Sequence, residues 1–183
     1  METERQTTVD DARVLRYEVA TRDTLDRVAH APLPGIAGEG PTARDLFRDV
    51  FFDTADAALE SRGAVARIRF AADGGRVFEV AVRGDTPETA RHATVFTTQG
   101  EPAELFAGLS EPARLLRALV DPALLAPVLA LETDRLLRDG DGGVRVACDA
   151  VTLRVGETTA PLHEVEVALP AGGDEVTHAE LLQ

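Results

Sequence analysis

Short stretches of this chain repeat one pattern: apolar side chains alternate with polar ones, and the polar set mixes arginine with acid. In RVFEVAVR, Phe78, Val80 and Val82 share one face, while Glu79, Ala81 and Arg83 share the other. In VRVACD, Val144, Val146 and Cys148 oppose Arg145, Ala147 and Asp149. In LHEVEVAL, His163, Val165, Val167 and Leu169 oppose Glu164 and Glu166. In VLRYEVA, Leu15, Tyr17 and Val19 oppose Val14, Arg16, Glu18 and Ala20. In VARIRF, Ile68 and Phe70 oppose Arg67 and Arg69. A period of two is the signature of β-strands with one apolar face. Arg67 and Arg69 raise a further question. Two guanidinium groups two residues apart repel each other, so they are either solvated or placed to meet an anion.

The segments between these runs complete the fold class. Val14–Ala20 reads as a first strand, and Asp23 as the cap of a helix, TLDRVAHA, that stops before Pro32. Pro32–Pro41 is a Pro/Gly loop. Asp49–Phe52 is a strand, Asp53 or Thr54 caps a short helix through Arg62, and Gly63 is its left-handed stop. Val65–Phe70 and Arg76–Arg83 pair across the turn Asp73-Gly74-Gly75, and Arg91–Thr97 is the next strand. Glu101–Val128 is helical in pieces broken by Pro112 and Pro122. Strands return at 129–138, 143–149, 151–155 and 162–169. Roughly eight strands with inserted helices predict an α+β fold with a mostly antiparallel sheet. Residues 1–12 read as a frayed tail and 13–183 as a single domain, whose last residues, VTHAELLQ, start a helix and stop inside it.

Composition narrows the function classes. The formal net charge is −13, and all 19 cationic residues are arginine. An acidic chain does not attract nucleic acid or an anionic membrane through its overall field, so an anion must meet a local cluster of guanidinium groups. The single cysteine, Cys148, excludes an internal disulfide and a cysteine-based zinc site. The charged N-terminus is not a signal peptide, and no apolar run reaches membrane-helix length. A soluble cytoplasmic protein is the expectation.

Two arrangements satisfy the alternation. In one, the charged face of an open sheet meets water. In the other, the sheet closes into a barrel with its charged face inward and helices outside. Charges held away from bulk water must pair or bind ions. A cavity lined by arginines and carboxylates suits a polyphosphate with a divalent cation, because guanidinium forks match phosphate oxygens and carboxylates hold hard cations.

The segment FFDTADAALESRGAVARIR resembles the hallmark of CYTH domains, the triphosphate tunnel metalloenzymes. Phe51, Phe52, Asp53, Thr54, Asp56, Leu59, Arg62, Gly63, Arg67, Ile68 and Arg69 fit that hallmark in spacing. Arg83-Gly84, Arg91, Arg135, Asp149 and the Glu-x-Glu of Glu164 and Glu166 fit later positions, so the resemblance covers about residues 14–169. It implies an eight-stranded antiparallel β-barrel (a tunnel) with helices packed outside. It also implies phosphate contacts from Arg67, Arg69, Arg83, Arg91 and Arg135. Glu164 and Glu166 would carry catalysis through a bound Mg²⁺ or Mn²⁺, with Asp149 as a further metal ligand. The partner would be a small molecule bearing triphosphate, or polyphosphate.

The acidic half of the pattern is altered. The family opens on Glu-x-Glu-x-Lys, and this chain offers VLRYEVA, which preserves that run in neither register. Ala93 stands where the family has glutamate, and Ala66 where it has leucine. Glu18 and Glu79, each on a charged face, are the candidates to substitute as metal ligands. Two functions stay open: a divalent-metal-dependent triphosphatase, or a module that binds phosphate, nucleotide or polyphosphate, or serves as a scaffold, with impaired catalysis. His163, on an apolar face, reads as packing rather than a ligand, Cys148 as core, and Asp139–Asp141 as a hairpin turn.

Overall fold

The computed structural model describes residues 13–33, 36, 40–84 and 90–169. The predicted tail, the terminal helix and most of the loop after Gly84 lie outside the described residues. Eight strands form one antiparallel sheet: β1 (Arg13–Glu18), β2 (Ala43–Asp53), β3 (Ala64–Ala71), β4 (Arg76–Val82), β5 (Arg91–Thr97), β6 (Ala126–Asp139), β7 (Arg145–Val155) and β8 (Thr158–Leu169). Their order is β1-β8-β7-β6-β2-β3-β4-β5. Among the described residues no ladder joins β1 to β5, so hydrogen bonding does not close the sheet. The helices are α1 (Arg22–His30), α2 (Pro102–Ala107) and α3 (Glu111–Leu119). No helix among the described residues is long and apolar enough to cross a membrane.

The chain divides into two compact units, one of Met1–Arg44, Arg135–Ala150 and Leu162–Gln183, the other of Asp45–Asp134 and Val151–Pro161. In the first unit, α1 lays Leu25 and Ala29 on a core containing Val144, Val146, Cys148, Val165 and Leu169. Its N-cap is Thr21, whose hydroxyl accepts from the Thr24 N–H at 3.2 Å, two residues earlier than the predicted Asp23. Asp23 sits in the first turn, where a negative charge still suits the helix dipole. At the other end Arg138 of β6, fully buried, donates to the carbonyls of Ala31 (2.6 Å) and Val28 (3.3 Å). A cation on the last carbonyls of a helix caps it, which accounts for an arginine inside a core.

In the second unit, the apolar faces of β2, β3 and β4 (Val50, Phe52, Ala66, Ile68, Phe78, Val80) meet Phe106 of α2 and Ala113 and Leu116 of α3. The Phe106 ring stands edge-on to Phe52 at 5.0 Å and tilted to Phe78 at 5.4 Å. Each such buried side chain contributes about 1.5–3 kcal/mol. The predicted helix after Asp53 is only a 3₁₀ turn at Glu60–Arg62. The Asp53 carboxylate organises it, accepting from the N–H groups of Thr54 (2.7 Å), Leu59 (2.8 Å) and Glu60 (3.0 Å). Gly63 closes the turn at φ 62°, and a Cβ there would press against the Cβ of Arg83 at 3.4 Å. Pro112 begins α3 rather than breaking a longer helix, because a first-turn proline has no N–H to lose. Helix ends at Leu119, and after the turn Pro122–Leu124 the chain is already strand at Ala126. β7 runs unbroken where two short strands were expected.

Candidate functional site

The second unit carries the arginine pair that motivated the functional reading. Register fixes its neighbours: Asp49 lies opposite Arg69, Phe51 opposite Arg67, and Arg67 opposite Glu79. Because strand side chains alternate, all of these share the face opposite the apolar core. Arg69 grips Asp49 with two bonds, Nε–Oδ1 at 2.9 Å and Nη2–Oδ2 at 2.8 Å, and its guanidinium lies 3.9 Å from the centre of the Phe47 ring. Arg67 donates from Nη2 to Glu79 Oε2 and brings Nη1 within 3.6 Å of Asp49 Oδ2. Glu79 Oε1 meets His92 Nε2 at 3.0 Å.

The result is a row of alternating charge across four strands: His92, Glu79, Arg67, Asp49, Arg69. It answers the question posed by the two arginines. They are neither bare nor simply solvated; carboxylates of the adjacent strands hold them apart and neutralise them. Two guanidinium charges face two carboxylates, so the group is formally neutral before His92 is counted. Asp49 is the buried member at 3% exposure, and the arginine side chains keep 26% and 31% of their surface. Arg67 meets Glu79 and Asp49 through its two Nη atoms, so its Nε faces no competition from either carboxylate. An anion arriving here meets donors already oriented and two negative charges already in place.

The remaining predicted residues fall in different surroundings. Arg83 is exposed just beyond β4, its backbone N–H bonded to the Gly63 carbonyl at 2.8 Å. Arg91 pairs in register with Val82, in the row of Ala93 and Val95, on the sheet face opposite Arg67 and Arg69. Glu79, proposed as a metal ligand, is committed to Arg67 and His92.

The first unit holds the others. Arg135 and Asp149 bind each other bidentately at 2.8 and 2.6 Å, so the candidate phosphate contact and the candidate metal ligand form one ion pair. On β1 and β8, Arg16 lies opposite Glu166 and donates from Nε to its carboxylate at 3.0 Å. Glu18 lies directly opposite Glu164. Like charges facing each other across a ladder are unfavourable unless a cation lies between them. Among the described residues no group of three or more His, Cys, Asp or Glu side chains is arranged to hold a metal. Of the acids expected to bind metal, Glu18 and Glu164 face each other across β1 and β8, and Glu166 is engaged by Arg16. Two carboxylates fit Mg²⁺, which keeps most of its waters and takes further oxygens from phosphate, better than they fit an ion held by protein alone.

Sequence reasoning missed Asp49, Phe47, His92 and the Arg16 contact. Asp49 shares strand parity with Phe51 and Asp53, which places it on the charged face. Its pairing with Arg69 depends on the β2–β3 register, which alternation does not reveal.

No protein-family model matches the chain, and no curated protein sequence matches it. Solved structures do. A proposed adenylate cyclase from Bacillus halodurans superposes over 94% of this chain and 87% of its own, with a TM-score of 0.63 at 15% identity. HpAC1 from Hippeastrum, a proposed adenylyl cyclase described as having a dominant triphosphatase activity, superposes over 92% of this chain and 83% of its own, with a TM-score of 0.62 at 16% identity. At these identities the likeness is one of fold, and the chain shares the eight-stranded antiparallel fold of these cyclase- and triphosphatase-type proteins.

Proposed function

We propose that the chain is a CYTH-type domain that binds a small molecule bearing triphosphate and hydrolyses it with a divalent cation, in the cytoplasm. The observation that carries this reading is the placement of Arg67 and Arg69 side by side on β3, oriented by Asp49 and Glu79. Catalysis of phosphoryl transfer is mostly positioning and charge neutralisation, and rigid forked donors provide both. Asp49 holds Arg69 in its plane, and Phe47 fixes that plane from the other side. Arg67, bound through its Nη atoms, keeps its Nε for a phosphate oxygen. Arg83, exposed and close by the Gly63 turn, is a further phosphate contact in this reading. Glu18 and Glu164 are the ligands for Mg²⁺ or Mn²⁺. A cation bound there would polarise a coordinated water.

The test is phosphate release from tripolyphosphate with Mg²⁺ or Mn²⁺. Glu164→Gln should abolish it while leaving the circular dichroism spectrum intact; undiminished release in that variant would overturn the assignment. One observation favours the alternative, a binding module with impaired turnover: Arg16 occupies Glu166, and Arg135 occupies Asp149. Under that reading tripolyphosphate raises the melting temperature by mass action, and no phosphate is released.

A further inference from the structure

The opposite face of the second unit's sheet carries a cavity that the phosphate reading does not use. It encloses about 740 Å³ and is walled by Val50, Phe52 and Phe70 of the sheet, Pro102 and Phe106 of α2, and Leu125. That volume is ordinary for a small-molecule site. Apolar walls of this kind favour an apolar occupant. Arg48 and Glu101 are its charged lining residues.

The register places a second guanidinium beside it. Arg48 lies opposite Phe70, and Phe70 lies opposite Arg76, so arginine, phenyl and arginine form one row across β2, β3 and β4. Neighbours in such a row stand about 5 Å apart. Arg48 is exposed and has no ion pair or hydrogen bond among the described residues. Arg76 stacks over Phe70 at 5.5 Å and reaches Glu101 at 3.8 Å, longer than a hydrogen bond. Its Nη1 is buried without a hydrogen-bond partner. A buried donor without an acceptor is unfavourable, and an acceptor on a bound molecule would relieve it.

We propose that this cavity binds an amphipathic monocarboxylate, its apolar tail among the phenylalanines and its carboxylate over the Arg48–Phe70–Arg76 row. The charge count selects a monoanion: two guanidinium groups and the Glu101 carboxylate leave one positive charge at the rim. This site is independent of Arg67 and Arg69, which project from the other side of the same strands.

The probe is decanoate, with decanol as its neutral counterpart, each competing with anilinonaphthalene sulfonate fluorescence on the full chain. Decanoate should bind saturably below its micellar concentration. Arg48→Gln should weaken decanoate about tenfold, as expected for one charge-assisted hydrogen bond, and leave decanol unchanged. Ala103→Trp, which adds bulk at an exposed lining position of α2, should weaken both. No saturable binding, decanoate binding insensitive to Ala103→Trp, or equal effects of Arg48→Gln on the acid and the alcohol would each overturn the proposal. Circular dichroism of both variants verifies that the fold is kept.

Discussion

Asp49→Asn separates two effects that the Asp49 carboxylate combines. Its side chain is buried and accepts two bonds from Arg69, with Arg67 Nη1 3.6 Å away. Removing one partner of a buried ion pair costs about 3–5 kcal/mol. Both arginine side chains keep a quarter to a third of their surface in water, 26% and 31%, and asparagine still offers one acceptor, so about 2 kcal/mol is the appropriate figure here. For a chain of this size that corresponds to a melting temperature lower by roughly 4–8 °C. The effect on ligand has the opposite sign. With one negative charge gone, Arg67 and Arg69 present an uncompensated positive charge. A polyanion within several ångströms then gains roughly 1–2 kcal/mol after screening, or about five- to thirtyfold in affinity. Differential scanning fluorimetry and titration calorimetry with tripolyphosphate measure the two halves on one sample. A variant that melts earlier and binds tripolyphosphate no better than the parent would show that these arginines serve the sheet and not a ligand.

Three further outcomes are expected. Burial opposes the charged form of Asp53, but the N–H groups of Leu59, Glu60 and Thr54, with the Thr54 hydroxyl, outweigh it and hold its carboxyl below the usual value. The folded pKa is the depressed one, so its stabilisation is present above about pH 4 and is lost as pH falls through the folded value. Asp53→Ala should cost about 3 kcal/mol in urea denaturation at pH 7 and flatten the acid limb of stability against pH. Burial, the neighbouring Asp149 charge and, opposing them, Arg138 leave the Cys148 thiol raised to about 11. Its contribution to stability is complete below the unfolded value near 9 and is lost as pH rises toward 11. At pH 8 iodoacetamide should label Cys148 only at the unfolding rate, which mass spectrometry over time resolves. Leu116→Ala, at a fully buried position of α3, should cost about 2–5 kcal/mol and lower the denaturation midpoint without changing the far-ultraviolet spectrum.

Alternation made most strands legible, and β5 has the expected bounds. Legibility failed where tertiary contacts set the outcome. β7 reads as two strands because its apolar side chains change face along it: Val146 and Cys148 stand at even positions, Val151, Leu153 and Val155 at odd ones. The short helix after Asp53 became a looser turn because the Asp53 and Thr54 side chains, not consecutive backbone bonds, satisfy the N–H groups there. The arginines of the candidate site were legible as a face. Their state of pairing was not, since Asp49, Glu79 and His92 reach them only through the registers of β2 with β3, β3 with β4, and β4 with β5. The same holds for Glu18 and Glu164, which lie 146 positions apart in sequence yet stand opposite each other in register.

The central claim is that the guanidinium groups of β3 hold phosphate. A crystal structure grown with tripolyphosphate tests it most directly. The account predicts phosphate oxygens within hydrogen-bond distance of Arg67, with Arg69 still clasped to Asp49. Clear density for the ligand elsewhere, with Arg67 still bound only to Glu79 and Asp49, would contradict it.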